Sequence, residues 1–237
     1  MSAIDPNTTL AELVTIRPEL AARLDDLSLD YCCGGQRTLG AAIAEAGINL
    51  DTTIATLQDT PASHQTSEWD GMEGLVDHLE KTHHVYLRET LPRLVALSDK
   101  VAGVHGQNHR ELAGVAALVG ELRADLEPHL LKEEQVLFPM IRELAAAGTS
   151  PSFHCGNLSN PIGVMTVEHD SVGALLSQLR SCTDGYRVPD DGCASYRALY
   201  EGLAELEADT HLHVHKENNL LFPAVFEAEQ ALIAQDQ

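Results

Sequence analysis

Hydrophobic and polar positions along this chain recur with a period near that of a helix, and few segments alternate with the period of two that a half-buried strand requires. The pattern is clearest after Trp69, where it predicts four amphipathic helices over roughly 70–98, 108–147, 161–182 and 193–230. Glycine and proline mark the breaks, at Gly103 to Gly106, Gly148 to Pro161 and Asp184 to Gly192. Helices of this length joined by modest connections predict an antiparallel up-down bundle. Pro92, Pro128 and Pro139 fall inside the expected helices, where each should kink or break the ladder.

The first sixty or so residues read as a smaller helical unit. Thr9 is placed to cap Leu10 to Val14, and a second helix starts near Pro18. Thr38 caps a helix that runs through Ala46 and ends at Gly47; Asp51 opens another that runs to about Gln58. Between them lies the turn Asp30-Tyr31-Cys32-Cys33-Gly34-Gly35. The small polar residues around Pro61 separate the two parts, giving an N-terminal helical domain over 1–60, a linker over 61–69 and a bundle over 70–237.

Composition agrees with an all-α protein: 237 residues, 44% hydrophobic and only 4% aromatic, enough apolar material for a buried core. The formal charge of -21 narrows the partners, because it repels phosphate backbones and anionic lipid; nucleic acid and membrane surfaces are excluded on that ground. The opening Met-Ser-Ala-Ile-Asp lacks a cationic segment leading into an apolar run, so a cytoplasmic location is expected. Five cysteines, an odd number in a chain this long, indicate reduced thiols rather than a disulfide scaffold. The unusual count is twelve histidines.

A repeat sorts those histidines. His129-Leu-Leu-Lys-Glu133 and His213-Val-His-Lys-Glu217 are both His-x-x-x-Glu, and both continue to Leu-Phe-Pro at the same offset, ending at Pro139 and Pro223. Nearly the same shift carries His84 in the first bundle helix onto His169 in the third. Each half of the bundle thus supplies one lone histidine and one His-x-x-x-Glu pair. Residues four apart project from one helix face about 40° apart, so a single helix can bring an imidazole and a carboxylate to one ion.

The faces these residues occupy are apolar. His129 lies on a stripe of Leu118, Leu122, Leu126, Val136 and Met140; His213 on Leu199, Leu206, Leu220 and Ala224; His169 on Ile162, Met165, Val172 and Leu176; His84 on Val76, Leu87 and Leu91. Glu133 and Glu217 are therefore expected inside, where an unpaired carboxylate costs several kcal/mol and needs a cation. Lys132 and Lys216 point about 100° away from them. Four imidazoles and two carboxylates suit two divalent metals, with iron or manganese ahead of calcium or magnesium and zinc chemically permissible. His83, His78, His109, His64 and His154 read as solvated or helix-end side chains. His211 and His215, also four apart, lie on a face with Ala204, Ala208 and Asn218 that is no core stripe, and His105 is a candidate for a supporting role near the site. Cys182 and Cys193 flank the last connection and read as structural.

With these residues in view, the bundle resembles hemerythrin-like domains, and together with the Cys-Cys-Gly-Gly turn nearly the whole chain resembles the di-iron proteins that repair iron-sulfur centres. The resemblance implies two non-haem iron ions, oxo- or hydroxo-bridged, held by His84, His129, Glu133, His169, His213 and Glu217. It implies damaged iron-sulfur proteins as partners, nitric oxide or oxygen as small ligands, and repair by iron delivery or by removal of nitric oxide. Cys32 and Cys33 are the candidate reactive groups. Adjacent cysteines close a disulfide only as a strained ring, so free thiols on a flexible turn are expected, with pKa values raised in so acidic a chain. The same thiols offer a route to a homodimer. A reversible binder or sensor of oxygen or nitric oxide, and a bundle stapled by structural zinc, are the competing readings. Open coordination positions disfavour the zinc reading, because structural zinc sites are closed by four protein ligands.

Overall fold

The computed structural model describes residues 4–61, 69–149, 151–153 and 156–235, and among them there is no β-strand. The expected linker falls largely outside the described residues, as do His64, His154 and Cys155. The chain divides into two compact units, Met1–Glu68 with His211–Phe222, and Trp69–Thr210 with Pro223–Gln237.

In the first unit, α1 (Leu10–Ile16) is opened by a reciprocal capping box in which Thr9 accepts from the Glu12 amide while the Glu12 side chain accepts from the Thr9 amide. A 3-10 turn over Pro18–Leu20 leads into α2 (Ala21–Asp26). α3 (Leu39–Ala46) is capped by Thr38 and stopped by Gly47, whose φ of 67° is the left-handed conformation that glycine adopts without steric cost. α4 (Leu50–Gln58) is capped by Asn49 rather than opened at Asp51, because the Asn49 side chain accepts from the Thr52 amide. Leu10, Leu20, Leu24, Leu39, Ile43 and Leu57 form the core, joined by Val214 from the segment His211–Phe222.

In the second unit, α5 (Gly71–Leu79) and α6 (Val85–His105) are one rod through a π turn at Glu80–His84, and α7 (Glu111–Lys132) and α8 (Phe138–Ala146) are another through Glu133–Leu137. α9 (Ser159–Cys182) is uninterrupted, and α10 (Ala194–Lys216) starts in this unit; its end from His211 and the third π turn, Glu217–Leu221, belong to the first unit, and most of α11 (Phe222–Gln235) to the second. The core draws on four rods: Leu87, Leu91 and Leu94; Val115, Val119 and Leu122; Val172, Leu176 and Leu179; Leu199, Leu203 and Leu206. This is the all-α bundle expected, with the first rod longer than expected, running through Gly103 to His105.

The prolines act differently from expectation. Pro92 and Pro128 lie within continuous helices, whereas directly ahead of Pro139 and Pro223 the ladder changes to a π turn that takes up one extra residue. That residue rotates everything after it by about 100°. Val136, expected on the inner stripe, is consequently 42% exposed, and Leu137, Phe138 and Ile141 are buried instead. The same one-residue slip puts Leu221, Phe222 and Val225 inside where Leu220 and Ala224 were expected.

Candidate metal centre

The second unit brings together four of the six expected ligands. Glu133, the first residue of its π turn, is 0% exposed; its Oε2 lies 3.4 Å from His84 Nε2 and its Oε1 lies 3.3 Å from His129 Nε2. His169 Nε2 is 3.2 Å from His129 Nε2, and one donor atom from each of His129, Glu133 and His169 falls within 4.8 Å of the others. Each of the three π turns among the described residues holds an expected ligand: His84 ends one, Glu133 begins the next and Glu217 begins the third.

Two carboxylates that the sequence pattern did not single out set the direction of the imidazoles. Glu134 Oε1 is 2.8 Å from His84 Nδ1, and Glu168 Oε2 is 2.9 Å from His129 Nδ1. A carboxylate can only accept, so each Nδ1 carries the proton and each Nε2 lone pair turns inward, as metal ligation by histidine requires. Arg88 donates to Glu134 at 2.5 Å, and Lys132 donates to Glu168. Burial works against both carboxyls, yet these donors hold Glu134 and Glu168 below the usual carboxylate range. Lys132 thus turns away from Glu133 as its helical position implied. The signal that could have found the pair is spacing: Glu168 precedes His169 and Glu134 follows Glu133, each next to a ligand. Phe138 of the repeated Leu-Phe-Pro stacks on His84 with ring centroids 5.5 Å apart.

In the first unit, His213 Nε2 lies 3.2 Å from Glu217 Oε1, and Glu217 is likewise 0% exposed. The next helical face of the same segment holds the cysteine turn. Asn219 Nδ2 donates to the Cys32 carbonyl at 2.9 Å, and His215 Nδ1 is 3.3 Å from the Tyr31 carbonyl. His211 Nδ1 pairs with Asp25 at 2.8 Å. His215 is therefore buried despite its apparently polar stripe, because the N-terminal unit covers that face, and burial pushes its pKa down to about 4.

The turn itself is held rather than flexible. Asp30 accepts from the amides of Cys32, Cys33 and Gly34 at 3.0, 2.9 and 2.8 Å. A Cβ on Gly35 would meet the Tyr31 carbonyl oxygen at 2.4 Å, so the second glycine permits a close backbone approach. Both thiols are free, with Sγ atoms 3.8 Å apart, and hydrogen bonding to Cys33 together with burial pushes the Cys32 thiol well up.

Other expectations are corrected by position. His83 is buried, with Nδ1 2.9 Å from Asp209, and is no solvated side chain. His105 sits at the far end of α6 beside Cys193, not near the ligands. Cys193 is exposed, whereas Cys182 is half-buried and donates to the Leu179 carbonyl at 3.3 Å. No helix among the described residues is long and apolar enough to cross a membrane.

The donor set fits a transition metal: imidazole nitrogens with their far nitrogens clamped by carboxylates, and a carboxylate buried among them that requires a cation. Fold and donors together define a helical-bundle cation-binding protein. The Hemerythrin HHE cation binding domain matches residues 75–225, and a Domain of Unknown function (DUF542) matches residues 6–60. The chain is 35% identical over 224 residues to the "Probable iron-sulfur cluster repair protein" of Haemophilus influenzae, covering 91% of this chain and 95% of that one. It is 34% identical over 226 residues to the iron-sulfur cluster repair protein YtfE of Yersinia pseudotuberculosis and to that of Yersinia pestis, in each case across 94% of this chain and 98% of the relative. The chain belongs to the iron-sulfur cluster repair protein family, whose members it matches across both its N-terminal and its hemerythrin-type parts.

Proposed function

We propose that this protein repairs iron-sulfur clusters, with a metal-binding bundle over 70–237 and a cysteine-bearing domain over 1–60. In this reading His84, His129, Glu133, His169, His213 and Glu217 hold two non-haem iron ions. The observation that carries it is the pair of fully buried carboxylates, Glu133 and Glu217, each four residues after a buried histidine and each opening a π turn. Two such half-sites would together supply the six donors that two divalent ions take, and the ions would neutralise both carboxylates. The names of the relatives, all iron-sulfur cluster repair proteins, support the role.

Bound iron would supply redox chemistry and open positions for a small ligand such as nitric oxide or oxygen. The chain's own residues orient the imidazoles through Glu134 and Glu168 and keep the carboxylates from water. The partners are iron-sulfur proteins damaged by nitrosative or oxidative stress in the cytoplasm, served by iron delivery or by nitric oxide removal. One observation favours the alternative of reversible oxygen or nitric oxide binding without turnover: the Cys32 thiol is held protonated, which makes it a weak nucleophile.

The test is metal analysis of the purified protein combined with a restoration assay on a nitric-oxide-treated iron-sulfur enzyme. About two irons per chain and recovery of the client are expected. Stoichiometric zinc alone would reject the centre, and two irons without recovery would reject the role while leaving the centre standing.

A further inference from the structure

The end of the bundle opposite His84 carries a second group of reactive side chains. α6 spans 21 residues, which places His105 about 31 Å along the helix axis from the ligand that precedes it. There, His105 Nε2 lies 3.2 Å from Cys193 Sγ. Cys193 is exposed and occupies the N-cap of α10, its carbonyl accepting from the Arg197 amide at 3.0 Å. At that position its thiol lies at the start of the helix, where the first-turn amides of Ser195 and Tyr196 lower its pKa.

The imidazole is held in place. The His105 ring meets Tyr196 edge-on at 5.4 Å and His109 at 6.3 Å, and His109 is fixed in turn by Asp191 at 3.0 Å and Glu111 at 3.0 Å. The groups around the thiol from the elements packed there are thus His105, His109, Glu111, Asp191 and Tyr196.

We infer that Cys193 and His105 form a thiolate–imidazole pair that exchanges with small disulfides, making Cys193 a modification site separate from the metal centre. The step balances within the reactants: Cys193 Sγ gives up its proton by way of His105 or to solvent and attacks one sulfur of the disulfide, the new S–S bond forms as the old one breaks, and the electron pair leaves on the departing sulfur, which takes that proton up. Cys193 is oxidised to the mixed disulfide, and the departing half of the reagent is reduced. Three features favour this thiol over its neighbours. Amides at the N-terminus of a 23-residue helix stabilise the anion, an adjacent imidazole donates to it, and solvent reaches it. Together the amide and His105 hydrogen bonds bring its pKa down to about 7, while burial pushes Cys182 up, and Cys32 is pushed up by its bond to Cys33 and by burial.

The experiment follows thiopyridone release from 4,4′-dithiodipyridine, a neutral disulfide that the acidic chain does not repel, using metal-loaded full-length protein across a pH series. One fast equivalent with a midpoint near 7 is expected. Cys193→Ser should abolish it, and since serine is a good N-cap the variant keeps the helix start. His105→Gln should raise the midpoint and slow the reaction at neutral pH by roughly three- to ten-fold. Both variants should retain the wild-type metal content. A fast equivalent that survives Cys193→Ser, a midpoint near the ordinary thiol value of about 8.5, or a profile indifferent to His105→Gln would overturn the inference.

Discussion

Glu168 accepts the Nδ1 proton of His129 at 2.9 Å, and that one bond decides which nitrogen of the histidine faces the buried Glu133. The equivalent bond from His84 to Glu134 does the same on the neighbouring rod. The inner donors are therefore aimed by outer carboxylates, themselves held by Lys132 and Arg88 at the protein surface.

Removing an aiming carboxylate should weaken metal binding without abolishing it. Glu168→Ala is expected to lower iron affinity about ten- to hundred-fold in a chelator competition, with Glu168→Gln in between because the amide oxygen still accepts. Equal affinities in all three proteins would show that His129 needs no such support.

Metal and stability should be linked through Glu133. Stripping the protein with a chelator leaves a buried charge that costs several kcal/mol, so the melting temperature should fall. Glu133→Gln should melt below wild type when loaded, yet fall less on stripping, because a neutral amide is cheaper to bury than a carboxylate. A stripped wild type as stable as the loaded protein would contradict the arrangement.

Cys32 and Cys33 can be separated from the centre. The double change Cys32→Ser with Cys33→Ser should leave iron content unchanged and reduce client restoration; full restoration would return the turn to a purely structural role.

The two glycines of that turn should differ. Gly35→Ala places a methyl against the Tyr31 carbonyl at 2.4 Å and should destabilise the N-terminal unit by roughly 2 kcal/mol in denaturant unfolding. Gly34→Ala meets no backbone atom: it meets the end of the long Arg37 side chain at 2.8 Å, which can move, and the Asp30 carboxylate at 2.9 Å, and should be milder. Equal costs would mean that the close approach at Gly35 relaxes easily.

At the far end of the bundle, the hydrogen bond to Asp191 raises the pKa of His109, against burial and with help from Glu111. A raised folded value means that its stabilising contribution is complete below about pH 6.5 and is lost as pH climbs through the folded value. An NMR titration should place the His109 midpoint above 6.5, with Asp191→Asn bringing it down; a midpoint unmoved by that change would show that the ion pair is not formed in solution.

Much of this protein was legible along the chain. Helical periodicity specifies the rods, Thr9, Thr38 and Gly47 specify the ends of the first helices, and the duplicated His-x-x-x-Glu marks the buried glutamates, because each of these signals acts over a few residues. The inward faces of His84 and His129 were legible, but which ring nitrogen turns inward was not, since that depends on Glu134 and Glu168 reaching them from neighbouring rods. The burial of His215 and the tight seat of Cys32 likewise depend on elements far apart in the chain. The outward turn of Val136 came from one extra residue ahead of Pro139, which periodicity with a constant step cannot register. Local patterning determines which residues share a helix face, but only packing between distant segments decides what that face meets and which atom it presents.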